Sequence, residues 1–152
     1  MVFDTPDQRL RENHHLLRLR KINRRNILTF KRPPQGSGES DDYKIREEVE
    51  IDVSDFENTR TILIALGYRE CFIYEKYREI YARGKVKVML DHTPIGDYIE
   101  IEGQPGEIYR LAARLGYSKA DYITDNYMTL FRKKHKTGHM QFPGRGTGEK
   151  VE

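Results

Sequence analysis

The chain has 152 residues, of which 37% are hydrophobic and 34% charged, a length that predicts one domain and a charge content well above the ~25% of an ordinary globular protein. Lys and Arg number 27 against 24 Asp and Glu, a net charge of only +3, but the signs are segregated: residues 8–32 hold nine bases and one acid, 39–57 nine acids and two bases, and 91–107 five acids and no base. A single cysteine, Cys71, excludes a disulfide framework and a CxxC metal knuckle; the amino terminus lacks a secretory pattern and no apolar run reaches the ~18–20 residues of a membrane span, so the expected location is cytoplasmic.

Strand patterns dominate, and the polar partner in each alternation is a charge of constant sign. Leu17-Arg18-Leu19-Arg20 and Ile27-Leu28-Thr29-Phe30-Lys31 read as a hairpin turning at Asn23-Arg24-Arg25-Asn26. After a loop at 33–42, Tyr43 to Val53 reads as the longest strand, with Lys44, Arg46, Glu48 and Glu50 on one face and Ile45, Val49 and Val53 on the other. Ser54-Asp55-Phe56-Glu57 reads as a capping box that opens a helix with Phe56, Thr59, Leu63 and Leu66 at helical spacing and Gly67 as its stop. Phe72 to Tyr81 is a further strand, carrying Lys76 and Arg78. Across Arg83-Gly84, Lys85 to Asp91 opposes Val86, Val88 and Leu90 to Lys85, Lys87 and Asp91, and Asp97 to Gly103 opposes Ile99 and Ile101 to Glu100 and Glu102. Pro105 opens a second helix with a stripe of Ile108, Leu111, Ala112 and Leu115, closed by Gly116. Both helices end in Leu-Gly-Tyr. A third helix is predicted from about Ala120 to Lys134, with Ile123, Tyr127, Leu130 and Phe131 as its stripe, and a Gly-rich, loosely ordered tail from Thr137. The five histidines, at 14, 15, 92, 135 and 139, have no metal-site spacing.

A single pair such as Arg18/Arg20 is most simply the watered face of an antiparallel sheet. The series is harder to treat so, because like charges on one sheet face repel and surfaces normally intersperse both signs. Helices over the apolar faces would turn the charged faces towards an interior that is costly to leave without a ligand. Arg forks and Lys ammoniums suit phosphate oxygens, while clustered carboxylates suit a hard Mg²⁺ or Mn²⁺ that bridges phosphates. Composition leaves a metal-bound polyphosphate and a polyanion such as RNA both open.

The ordered set Phe3-Asp4-Thr5-Pro6-Asp7, Leu17-Arg18-Leu19-Arg20, Leu28-Thr29-Phe30-Lys31, Arg46-Glu47-Glu48-Val49-Glu50, Leu66-Gly67-Tyr68, Glu75-Lys76-Tyr77-Arg78, Leu90-Asp91 and Gly96-Asp97-Tyr98-Ile99-Glu100-Ile101-Glu102-Gly103 closely resembles the CYTH domain. That family holds class IV adenylyl cyclases and thiamine triphosphatases among the triphosphate tunnel metalloenzymes, and the resemblance covers about residues 3–131. It implies an α+β, mostly antiparallel fold, an eight-stranded tunnel barrel with helices outside. By the same resemblance Arg18, Arg20, Lys31, Arg46, Lys76 and Arg78 hold the triphosphate. Glu48, Glu50, Asp91, Glu100 and Glu102 are then the acidic, metal-binding positions, the last pair looking like the family's metal strand. The family opens with a strand bearing Glu-x-Glu-x-Lys, and this chain begins at the end of the second strand, so a domain over 1–136 lacking its first strand, with a tail over 137–152, is expected. Such a loss would expose a sheet edge open to pairing, as in a homodimer.

The leading expectation is a Mg²⁺- or Mn²⁺-dependent enzyme of the class IV adenylyl cyclase type, acting on ATP. A hydrolase of thiamine triphosphate or inorganic triphosphate uses the same phosphate contacts. A non-catalytic polyphosphate-binding module and an RNA-binding protein working through residues 9–32 are the readings from other classes. Gly144 to Lys150 fails the spacing of a phosphate loop, and Arg132-Lys133-Lys134-His135-Lys136 reads as charge complementing a helix C-terminus.

Overall fold

The computed structural model describes residues 1–34 and 42–144. Most of the loop at 33–42 and nearly all of the run from Gly144 to Lys150 lie outside the described residues. Two compact units are present, Met1–Ile73 and Tyr74–Glu152. Their fold is α+β with mostly antiparallel sheets, and among the described residues no helix is long and apolar enough to cross a membrane.

In the first unit β1 (Val2–Asp4), β2 (Leu16–Ile22), β3 (Arg25–Arg32), β4 (Glu47–Val53) and β5 (Arg69–Phe72) form one sheet in the order β4-β3-β2-β1-β5. The β2–β3 hairpin turns tightly on Asn23-Arg24, since Ile22 already pairs with Arg25, and Asn23 takes the left-handed φ of 53° that asparagine tolerates. The strand expected from Tyr43 starts only at Glu47, which leaves Lys44 and Arg46 ahead of it. Its partner ends at Arg32, opposite Glu47, and is followed by Pro33-Pro34, which have no N–H to extend the ladder. One face of the sheet aligns Phe3 with Leu17, Leu17 with Phe30 and Leu19 with Leu28. Phe3, Leu17 and Leu19 pack there with Phe56 and Leu63 of α2 (Phe56–Ala65) to form the core of the unit.

The first residue of α2 is set by Asp55 rather than Ser54, because the Asp55 carboxylate accepts from Asn58 N at 2.7 Å. Its end explains one copy of Leu-Gly-Tyr: Gly67, at φ +93°, lets Gly67 N reach Ile64 O and Tyr68 N reach Leu63 O, a Schellman cap. Gly116 at φ +88° does the same for α3 (Pro105–Arg114), with Gly116 N on Ala113 O and Tyr117 N on Ala112 O. The repeated tripeptide is thus a repeated helix stop. A short α1 (Arg9–Glu12), unforeseen in the sequence, is tied down by the buried Asp4, whose oxygens accept from Leu10 N and Arg11 N.

In the second unit β6 (Tyr77–Arg83), β7 (Val86–Thr93) and β8 (Gly96–Glu102) form a meander. The strand expected over Phe72 to Tyr81 is therefore two strands in two sheets, because β5 pairs with β1 and β6 pairs with β7. The third helix is also shorter than its pattern. A capping box of Ser118 and Asp121 closes a turn at Lys119–Asp121, and Asn126 separately caps α4 (Tyr127–Lys134) by accepting from Thr129 N. Residues beyond Thr137 are not uniformly loose. Met140 is fully buried, its carbonyl accepts from Glu75 N at 2.8 Å, and Phe142 N donates to the Glu75 carboxylate.

Candidate functional site

Opposed residues of antiparallel strands share a face, so register places the charges. In the first sheet Leu16, Lys31 and Glu48 stand in one row, Arg18, Thr29 and Glu50 in the next, and Arg20, Ile27 and Asp52 in a third. Arg20 Nη2 donates to Glu50 Oε1 at 2.8 Å, the buried Thr29 hydroxyl donates to the same oxygen at 2.7 Å, and Arg18 Nη2 lies 3.8 Å from it. Lys31 Nζ donates to Glu48 Oε2 at 2.8 Å. Burial alone would raise the Glu50 carboxyl, but the hydrogen bond from Thr29 and the charges of Arg20 and Arg18 bring it below the usual carboxylate range. Arg18 is 9% exposed, far from a surface arginine in bulk water. Arg46 falls outside this row pattern; it precedes β4, and its Nη1 donates to Ile45 O.

In the second unit the row through Arg78, Asp91 and Tyr98 neighbours the row through Ile80, Met89 and Glu100. Asp91 is 1% exposed and receives three elements at once. Lys76 Nζ donates to Oδ2 at 2.7 Å, Arg78 Nε and Nη2 donate to Oδ1 and Oδ2 at 2.5 Å each, and the Tyr127 hydroxyl of α4 donates to Oδ2. Arg78 Nη2 also lies 2.6 Å from Glu100 Oε2, and Lys76 Nζ 3.5 Å from Glu100 Oε1. Burial by itself would push Asp91 up; the bonds from Arg78, Lys76 and Tyr127 overcome it and hold the carboxyl well below its ordinary value. Burial and the bond to Asp91 act together on Tyr127, keeping its hydroxyl protonated far above the usual tyrosine range. For Arg78 burial opposes the charge, and Asp91 and Glu100 more than restore it.

Arg18, Arg20, Lys31, Glu48 and Glu50 are thus brought together in one unit, and Lys76, Arg78, Asp91 and Glu100 in the other. A hard divalent cation takes one or two carboxylates and completes its shell with water and phosphate. Glu100 and Glu102, two apart on β8 and hence on one face, fit that demand, since Glu100 is half-exposed and Glu102 is exposed. Asp91 has no such freedom, both its oxygens being occupied, and among the described residues no three His, Cys, Asp or Glu gather as a preformed metal cage. Two residues of these clusters escaped the sequence reading. Thr29 reads as an ordinary strand residue, although it stands between Arg18 and Glu50 in the charged row, and Tyr127 reads as part of an apolar helical stripe, where its hydroxyl was the available signal.

The sequence matches the CYTH domain over residues 2–127. A protein of Methanocaldococcus jannaschii whose provisional name is adenylate cyclase is 27% identical over 141 residues, spanning 86% of this chain and 78% of that one. The adenylate cyclase CyaB of Aeromonas hydrophila is 32% identical over 91 residues, 53% of this chain and 48% of the relative. A solved structure of a Pyrococcus horikoshii protein superposes with a TM-score of 0.69 at 27% identity, covering 85% of this chain and 78% of the other. With five-sixths of its length matched by that signature and the same architecture in a solved relative, this chain belongs to the CYTH domain family.

Proposed function

We propose that the chain is a divalent-metal-dependent enzyme that binds a nucleoside triphosphate and, in the manner of a class IV adenylyl cyclase, converts ATP to cyclic AMP and pyrophosphate. Arg18, Arg20, Lys31, Lys76 and Arg78 bind the triphosphate oxygens, with Arg46 from the segment before β4 as a further cation. In the reaction the ribose 3′-oxygen forms a bond to the α-phosphorus as the bond from that phosphorus to the bridging oxygen breaks. Pyrophosphate leaves with that electron pair, and the hydroxyl proton passes to solvent. No nucleophilic side chain is required; the cations lower the barrier by neutralising charge that builds on the departing oxygens. Glu100 and Glu102 would hold Mg²⁺ or Mn²⁺, which when bound supplies Lewis-acid and templating chemistry. Glu48, Glu50 and Asp91 are assigned to holding the cations in place.

The observation that carries this reading is the contrast at Arg78: one carboxylate partner, Asp91, is fully buried, and the other, Glu100, is half open to solvent. A phosphate can take the place of Glu100 on the guanidinium without disturbing Asp91, and the released Glu100 is then available to the metal. The names of the Methanocaldococcus and Aeromonas relatives support the cyclase form. The test incubates the protein with ATP, thiamine triphosphate or inorganic triphosphate, with Mg²⁺ or Mn²⁺, and scores cyclic AMP, pyrophosphate and orthophosphate. Cyclic AMP with pyrophosphate supports the proposal. Orthophosphate without cyclic AMP marks a hydrolase, accompanied by pyrophosphate when inorganic triphosphate is the substrate, and tight binding without any product marks a capture module.

A further inference from the structure

Tyr127 is assigned above to neither phosphate nor metal, yet the second cluster converges on it. Its hydroxyl donates to Asp91 Oδ2, the oxygen that also accepts from Lys76, and its ring lies beneath Lys76 Nζ, 4.8 Å from the centroid. The ring is itself braced, at 5.5 Å edge-on from Tyr98 and 6.2 Å from Tyr74, and it stands on the first turn of α4, which Asn126 caps. We propose that Tyr127 is a positioning residue that seats the Lys76 ammonium for a phosphate oxygen, with its ring face under Nζ and its hydroxyl sharing Asp91 Oδ2 with that ammonium. The inference rests on the phosphate-binding role given to Lys76.

The physical need arises from lysine itself. Its four-carbon stem is flexible and its ammonium is a point charge, so a lysine without a seat folds onto the nearest carboxylates. Here Nζ already donates to Asp91 Oδ2 at 2.7 Å and stands 3.5 Å from Glu100 Oε1, so what the seat decides is which side of these carboxylates the ammonium occupies. An aromatic face attracts the ammonium through its quadrupole without adding a negative charge, so the cation is held yet keeps its charge for a ligand. The hydroxyl bond acts in the same direction, because Tyr127, Lys76 and Arg78 all donate to Oδ2 and the neutral hydroxyl takes a share of an acceptor that would otherwise serve the two cations alone.

The test measures metal-free binding of inorganic tripolyphosphate by calorimetry in the wild type, Y127F, Y127L, K76A and K76A/Y127L, and the NMR shift of the Lys76 ε-methylene. Y127L is expected to weaken binding by about tenfold, the scale of a desolvated cation–π contact. Y127F, which keeps the ring, loses less, and K76A/Y127L is no weaker than K76A because Tyr127 works through Lys76. The ε-methylene is ring-shifted upfield in the wild type and Y127F and returns to its ordinary position in Y127L. An equal loss from Y127L in the presence and absence of Lys76, or an unshifted methylene in the wild type, overturns the proposal. Should Y127L fail to fold, the wild-type shift and Y127F still decide it. Absence of tripolyphosphate binding in the wild type overturns the phosphate reading and the purpose of the seat together, whereas a ring shift retained in that case shows that the seat exists and the phosphate assignment alone is wrong.

Discussion

Arg78 lays two N–H groups along the two oxygens of Asp91, Nε on Oδ1 and Nη2 on Oδ2, each at 2.5 Å. This is the bidentate geometry that a guanidinium provides and an ammonium cannot. Asp91 has no exposed side-chain surface, so water cannot replace a lost partner. Breaking such a pair from one side costs up to about 3–5 kcal/mol when the charge is left alone, and Lys76 and Tyr127, which still donate to Asp91, place the loss at the lower end of that range. R78A is therefore expected to lose stability of that order in urea denaturation, and R78A/D91N to recover part of it. A single variant within about 1 kcal/mol of wild type would contradict this arrangement, since that is the scale of an exposed pair.

Acid should reveal the same pair. The folded-state pKa of Asp91 is depressed below its unfolded value, so the unfolded chain binds the proton more readily, and the stabilisation is fully present above the unfolded pKa of about 3.9. It is lost as pH falls below that value towards the folded pKa. The stability difference between wild type and D91N should be flat from pH 7 to about 5 and should shrink below about 4. A difference that instead grows on acidification would refute the assignment. Glu50, shifted in the same direction by Thr29, Arg20 and Arg18, adds a second loss of the same sign.

Lys31 separates binding from folding. Its bond to Glu48 joins two partly exposed side chains, an ion pair worth at most about 1 kcal/mol. K31A should melt close to wild type while weakening metal-free tripolyphosphate by about tenfold or more, the value of a hydrogen bond to a charged group. Unchanged calorimetric affinity would remove Lys31 from the phosphate set.

Glu100 and Glu102 should behave differently although they are two residues apart. Among the ion pairs of the described residues Glu100 meets Arg78 and Lys76 and Glu102 meets neither, so under the proposed function only Glu100 would compete with a phosphate for these cations. E100Q is expected to bind metal-free tripolyphosphate several-fold more tightly and to lose the strengthening by Mn²⁺; E102Q should lose only the latter. Weaker metal-free binding by E100Q would exclude the exchange of carboxylate for phosphate.

Much of this was legible in the alternation of residue types. Leu17-Arg18-Leu19-Arg20 faces as written, and both Leu-Gly-Tyr stops end helices. What the sequence could not show was where a side chain ends. Period-two spacing gives Asp91 a face and a sign, but its partners come from the segment before β6, from β6 and from α4, 13 to 36 residues away. The same limit hid Tyr127, whose ring satisfies an apolar stripe while its hydroxyl serves a carboxylate. The late start of β4 arose from the opposite cause: Tyr43 to Arg46 alternate correctly, but pairing stops where β3 runs into Pro33.

The family match stops at residue 127, but the second unit does not. Phe131 and Met140 are both buried, and Met140 grips the backbone of Glu75, the neighbour of Lys76. A gene cut at the family boundary would therefore encode a protein without most of α4 and without both buried side chains, leaving the Glu75 backbone N–H beside Lys76 without its acceptor. Expression boundaries, domain fusions and purification tags should accordingly be placed after Phe142.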